Sequence, residues 1–261
     1  MSPSDVAAAA AVPWGTLELR DGDTRSLDLG TLRLVVRRRA EEVWVQTQRS
    51  PHLSDPDEGD WHRWSAAPDT KVAVRAAMPD RLLVVSHEHS YHLPPKREAK
   101  VYVRIPLFVQ VALEARGSEQ VLIDLPSVVL SHTWWGSFAE GELGYWLTTK
   151  ARAALTDDLF LPHFGVCPLH LENESGGALP VQRFALQVAH LSLFCDGRKT
   201  WTDEVRVRYE GSMEGSEIRF GEEPPEEADG AELLAGPRVP AARGLHVRTV
   251  DRLRHLSARG F

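Results

Sequence analysis

The sequence predicts a mainly β protein: an antiparallel β-sandwich, either one continuous sandwich or two stacked β subdomains, with one C-terminal α-helix. Three observations carry this. Apolar and polar residues alternate with a period of two along most of the chain, the mark of strands with one buried face. Clusters of Gly, Asp, Asn, Pro and Ser separate those segments at regular intervals. No amphipathic helical pattern interrupts them before the C-terminus, which favours sandwich or barrel architectures.

Residues 1–12, MSPSDVAAAAAV, are Ala-rich and place Asp5 where an export signal would carry positive charge, so they read as a disordered leader without export. Residues 13–93 read as an N-terminal β subdomain. Its strands are TLEL, TLRLVV, VWVQTQ, KVAVRA and RLLVV, and its turns are RDGD, SDPDEGD and PD. A loose boundary falls in LPPKREAK, residues 93–100, a proline-and-charge stretch between two groups of strands.

Residues 94–220 read as the central β-sandwich domain. In VYVRIPLFVQVAL, Val101, Val103, Ile105, Leu107, Val109, Val111 and Leu113 share one parity. Pro106 has no N–H to donate, so this strand bends there or lies at an edge. VVLSHTWWGSF and GELGYWLTT, around the turn AEGE, read as a hairpin. VCPLHL, QRFALQVAHLSLF and WTDEVRVRYE supply further strands, the last with Trp201, Val205, Val207 and Tyr209 on one side. Residues 221–244 begin with GEEPPEEADGAE, six acids without a base, and read as an acidic, Pro-rich linker. In residues 245–260, Val247, Val250, Leu253 and Leu256 recur at threes before Gly260, the pattern of a short helix and its stop.

Composition narrows the function classes. The 261 residues, 43% hydrophobic and 26% charged, have the balance of an ordinary globular protein. A net charge of −7 argues against a general nucleic-acid binder, which needs a basic surface to displace counterions. No apolar run approaches the ~20 residues that span a bilayer. Two cysteines, Cys167 and Cys195, are too few for a disulfide scaffold, and a cytoplasmic location is the default expectation.

Three stretches hold the candidate site residues. In LSHTWWGSFAEGELGYW, core packing is the first reading of Trp134, Trp135 and Trp146 and a ligand or interaction platform the second; His132 shares the parity of Trp134 and reads as a hydrogen-bonded buried histidine. In SHEHSYH, His87 and His89 point the same way if the segment is extended, a spacing that lets two imidazoles share a divalent metal, with a third ligand needed from elsewhere. In HFGVCPLH, His163, Cys167 and His170 look like a metal-ligand set with Cys195. Strand parity instead puts Cys167 with Leu169 and Leu171, as a small buried hydrophobe. No Gly-x-Ser-x-Gly elbow, Walker loop or Gly-x-Gly-x-x-Gly is present. Among the carboxylates, Asp203 lies on the buried parity of its strand, where an acid needs a partner or a raised pKa.

The run VYVRIPLFV, LSHTWWGSFAEGELGYWL, VCPLHLENES, HLSLF and WTDEVRVRYEG, in that order, resembles the domain of unknown function 432 family of archaeal and bacterial proteins. The resemblance covers roughly residues 80–220, with a weaker echo in AGPRVPAARGLHVRTVDRLRHL. It implies one coherent β-rich unit and carries over no activity, cofactor or catalytic residue. The functional expectation is a non-enzymatic binding or interaction module, with a protein partner or a homo-oligomer. The alternatives are a metal-dependent jelly-roll enzyme built on His87 and His89, and a carbohydrate-binding face of exposed tryptophans.

Overall fold

Pro106 divides the longest alternating run of the sequence between two strands that belong to different parts of the molecule. The computed structural model describes residues 12–51, 60–115, 117–211 and 217–240, and shows a mainly β protein. The leader expected at 1–12, all but its last residue, and the helix expected at 245–260 lie outside the described residues.

From the N-terminus the strands are β1 (Gly15–Leu17), β2 (Thr24–Leu29), β3 (Leu32–Arg39), β4 (Glu42–Arg49), β5 (His62–Ser65) and β6 (Lys71–Ala77). Then come β7 (Leu83–Leu93), β8 (Arg97–Pro106), β9 (Phe108–Ala115), β10 (Ser118–Pro126), β11 (Ser131–Trp135) and β12 (Glu142–Trp146). The remainder are β13 (Phe164–Asn173), β14 (Leu179–Leu186), β15 (Leu193–Cys195), β16 (Thr200–Thr202), β17 (Val205–Tyr209), β18 (Glu217–Phe220) and β19 (Glu232–Ala235).

The first unit comprises residues 1–77 and 106–129. It holds two four-stranded antiparallel sheets, ordered β1-β6-β9-β10 and β2-β3-β4-β5. One hydrophobic cluster takes Leu32, Leu34, Val36, Val43 and Val45 from one sheet and Val72, Val74, Val109 and Val111 from the other. Each set falls on one parity of its strand, which is why period-two alternation builds this core. Arg38, also buried, donates to the carbonyls of Ala66 at 3.1 Å, Ala67 at 2.6 Å and Thr70 at 3.3 Å, so its charge and those carbonyls satisfy one another.

The second unit comprises residues 78–105 and 130–261. One sheet has the order β11-β12-β7-β14; a seven-stranded sheet runs β18-β17-β13-β16-β15-β19, with β8 also paired to β13. Parallel pairs join β12 to β7 and β13 to both β16 and β17, so the wholly antiparallel arrangement expected from sequence is corrected to a mixed one. Alternation marks which side chains are buried and says nothing about the direction of the neighbouring strand.

Two expected boundaries also move. Residues 94–96 of LPPK form the connection between β7 and β8 inside the second unit; the divisions fall after residues 77, 105 and 129. The acidic segment expected as a linker, 221–244, is built in as far as it is described. Ala228 is buried with Tyr102, Leu159, Val166 and Trp201, and β19 pairs with β15. Burial of these small and apolar residues outweighs the segment's charge, and one of its acids, Glu227, is itself paired with Lys100.

Candidate functional site

The β11–β12 hairpin pairs Ser131 with Trp146, His132 with Tyr145, Thr133 with Gly144, Trp134 with Leu143 and Trp135 with Glu142. These cross-strand pairs sort the side chains onto two faces. On the inner face Trp135 is buried against Leu82 and Val84, with Trp146 and Ala185 packed beside them. Gly144 allows that approach, since a Cβ there would meet Leu82 Cδ1 at 2.3 Å.

The outer face carries His132, Trp134, Leu143 and Tyr145. Trp134 is 53% exposed and Leu143 46%, and Phe138 at the turn is 99% exposed. The Trp134 ring is held: its Nε1 donates to the Ser137 carbonyl at 2.9 Å, and the indole lies over Gly141. Beside it, Tyr145 Oη donates to Asp80 Oδ1 at 2.8 Å. Burial, then this bond, pushes the Tyr145 hydroxyl up to about 12, so it stays a protonated donor at neutral pH. The Arg81 guanidinium lies 5.6 Å from the Tyr145 ring centre and reaches His132 Nδ1 at 3.4 Å. An arginine can only donate, so Nδ1 is the acceptor in this contact.

Exposed Trp134, Phe138 and Leu143 therefore share this hairpin with His132 and Tyr145, beside Arg81. No activated nucleophile or metal-ligand set lies within it. His132 is therefore exposed rather than buried as expected, because Arg81 and Tyr145 cover one side of its ring only. Trp134, Trp135 and Trp146 do not make one platform, since Trp134 faces away from the other two.

The pairing of β7 with β14 shows why His87 and His89 part. Tyr91 lies opposite Val181 and Ser86 opposite Arg183, so the four residues 87–90 face Gln182 alone. In this wide bulge the strict in-and-out alternation is lost. His87 is buried, with its ring 4.8 Å from that of Tyr91, and its Nδ1 accepts the His89 N–H at 3.2 Å. Burial lowers its pKa, and its Nε2 has no hydrogen-bond partner among the described residues. His89 is exposed. Among the described residues no group of three or more His, Cys, Asp and Glu is placed to hold a metal.

Cys167 is fully buried, which pushes its thiol up to about 12, and both cysteines are free. His163 is held down to about 4 by burial and by Arg104, while His170 turns to Glu204 at 3.2 Å. Asp203 is buried, at the break between β16 and β17 and beside the equally buried Thr202 of the opposite parity. Its carboxyl is pushed up to about 6, burial outweighing the hydrogen bond that Oδ2 takes from the Ser192 N–H. An apolar pocket of about 30 Å³ lies among Leu171, Leu179, Val181, Phe184, Val207 and Tyr209, room for little more than water.

A family model matches residues 13–254 of the chain. The chain belongs to the DUF432 family, described as protein of unknown function. The match extends well beyond the central block that carries the sequence resemblance, to both units of this DUF432 protein. No curated protein and no solved structure matches it.

Sequence reading missed two parts of this DUF432 surface. Phe138 and Leu143 sit beside a turn signal, and their exposure depends on where the inner face finds its packing. Asp80 and Arg81 precede β7 and reach the hairpin because β7 pairs in parallel with β12. A second polar cluster was also missed: Glu204 accepts from Arg206 at 2.6 Å and lies 3.4 Å from Lys100. Lys100 also pairs with Glu227, which accepts the Tyr102 hydroxyl at 2.8 Å. Its acids and bases face one another, which suits a clasp on the 221–231 segment better than a reactive site.

Proposed function

We propose that this protein is an interaction module and that the β11–β12 hairpin docks an extended strand of a protein partner. The observation that carries it is the exposure of Trp134, Leu143 and Phe138 together on a structured hairpin, next to Arg81 and Tyr145. Exposed apolar side chains scattered singly need no explanation; a cluster held in fixed geometry does. Trp, Tyr and Arg are also the residues that dominate binding energy at protein interfaces. The first unit, whose two sheets share one core, fits the role of a β-sandwich scaffold, and two free cysteines fit a reducing, cytoplasmic setting.

The test is a photo-crosslinking amino acid in place of Leu143, activated in cells. The expected result is a discrete protein adduct that disappears with Trp134→Ala and is absent when the probe replaces the exposed Val121 of β10. Equal labelling from both positions, or an adduct indifferent to Trp134→Ala, overturns the reading.

A further inference from the structure

We infer that the strand docked on β11 is β11 of a second copy of this chain, in an antiparallel pair about a two-fold axis at Thr133. This rests on the reading of the hairpin as a docking surface and names its partner. β11 is the outermost strand of the order β11-β12-β7-β14. The Tyr145 and Leu147 N–H groups donate to the Leu82 and Val84 carbonyls, each at 2.9 Å, so the odd residues of β12 turn toward β7. Its even residues therefore bond to Ser131, Thr133 and Trp135, and the backbone groups of His132 and Trp134 face the open edge.

Natural sheets protect such edges with proline, lysine, short strands or bulges. The opposite edge of this sheet follows the rule: β14 carries Pro180 and pairs across an interrupted register. β11, Ser-His-Thr-Trp-Trp, is short but has no proline, glycine, lysine or acid, and is rich in residues that favour strands.

The register is self-complementary. With Thr133 opposite the partner's Thr133, the outward N–H and C=O groups of His132 meet those of the partner's Trp134, and the reverse. Four hydrogen bonds form, and no polar backbone group on the edge is left over. The same register sets His132 against the partner's Trp134 on the outer face, twice, as directly opposed aromatic pairs. A two-fold pairing closes on itself, so the edge is consumed without propagating into a fibre.

The test uses the purified full chain. Sedimentation velocity over rising concentration should show a reversible dimer. Trp134→Asp, with an unchanged circular dichroism spectrum, should weaken it by about tenfold or more. Opposed residues in a non-hydrogen-bonded pair approach to about 4.5 Å between Cα atoms. Thr133→Cys should therefore form an intermolecular disulfide without reductant, while Val121→Cys and the native chain do not. A chain that stays monomeric, with Thr133→Cys linking no faster than Val121→Cys, overturns the second-copy inference. If the Leu143 probe still captures another protein in a Trp134-dependent manner, the docking surface survives that failure; if it captures nothing, both fall.

Discussion

The Trp134 indole occupies the space beside Gly141 that a side chain would need: a Cβ at Gly141 would stand 2.0 Å from Trp134 Nε1 and 2.5 Å from the Ser137 carbonyl. The glycine is required by close approach, and the ring is thereby fixed at the tip of the hairpin. Gly141→Ala is expected to expel the indole, break its bond to Ser137, and cost about 1–3 kcal/mol in urea unfolding. Intrinsic fluorescence should shift red, and the adduct formed at Leu143 should be lost with it.

His87 and His89 should respond differently to replacement. His87→Ala empties a buried site and is expected to destabilise by about 1–3 kcal/mol, whereas His89→Ala, on the exposed side, should change stability by less than about 0.5 kcal/mol. Thermal unfolding of both variants with and without added zinc checks this. A metal site shared by the two imidazoles would make the variants lose a zinc-dependent stabilisation together.

Asp203 gives a pH signature of definite sign. Its folded value of about 6 lies above the ~3.9 of an unfolded aspartate, so between those values the folded state binds more protons. This group's contribution to stability is greatest at low pH and declines as pH rises through about 4 to 6, by roughly 3 kcal/mol at most. Asp203→Asn keeps an acceptor for the Ser192 N–H and removes the charge. The difference in urea stability between variant and native protein should move in the variant's favour from pH 4 to pH 7.

Thiol chemistry separates the two cysteines. Cys167, buried with its thiol held near 12, should be silent toward Ellman's reagent in the folded protein, and half-buried Cys195 should account for the native reaction. Denaturation should bring the count to two per chain. Rapid native labelling of Cys167 would show that its strand opens.

The parity of Val101 through Leu113 identified seven buried side chains, and all seven are buried. It could not show that Pro106 sends them into different units, because alternation is a local property and sheet membership is not. Parity likewise put His132 and Trp134 on one face of the hairpin, while the choice of buried face was made by Leu82 and Val84, at the start of β7 some fifty residues away. The spacing of His87 and His89 was read for a regular strand; the bulge that separates them depends on the pairing with β14. Asp203 was picked out by parity, yet the strand that gave the parity breaks at 203–204 between β16 and β17, and Thr202 on the other parity is buried as well.

The core of the first unit needs Val109, Val111 and Leu113 beside Val36 and Val45. During synthesis the first 77 residues therefore emerge with one sheet whole, β2 to β5, and the other only half present as β1 and β6; the strands that complete it, β9 and β10, arrive only after a 28-residue excursion, 78–105, into the other unit. Neither unit can be cut out of the gene as a single uninterrupted piece. Non-local pairing of this kind slows folding, and the core of the first unit cannot close before residues 106–129 have been made.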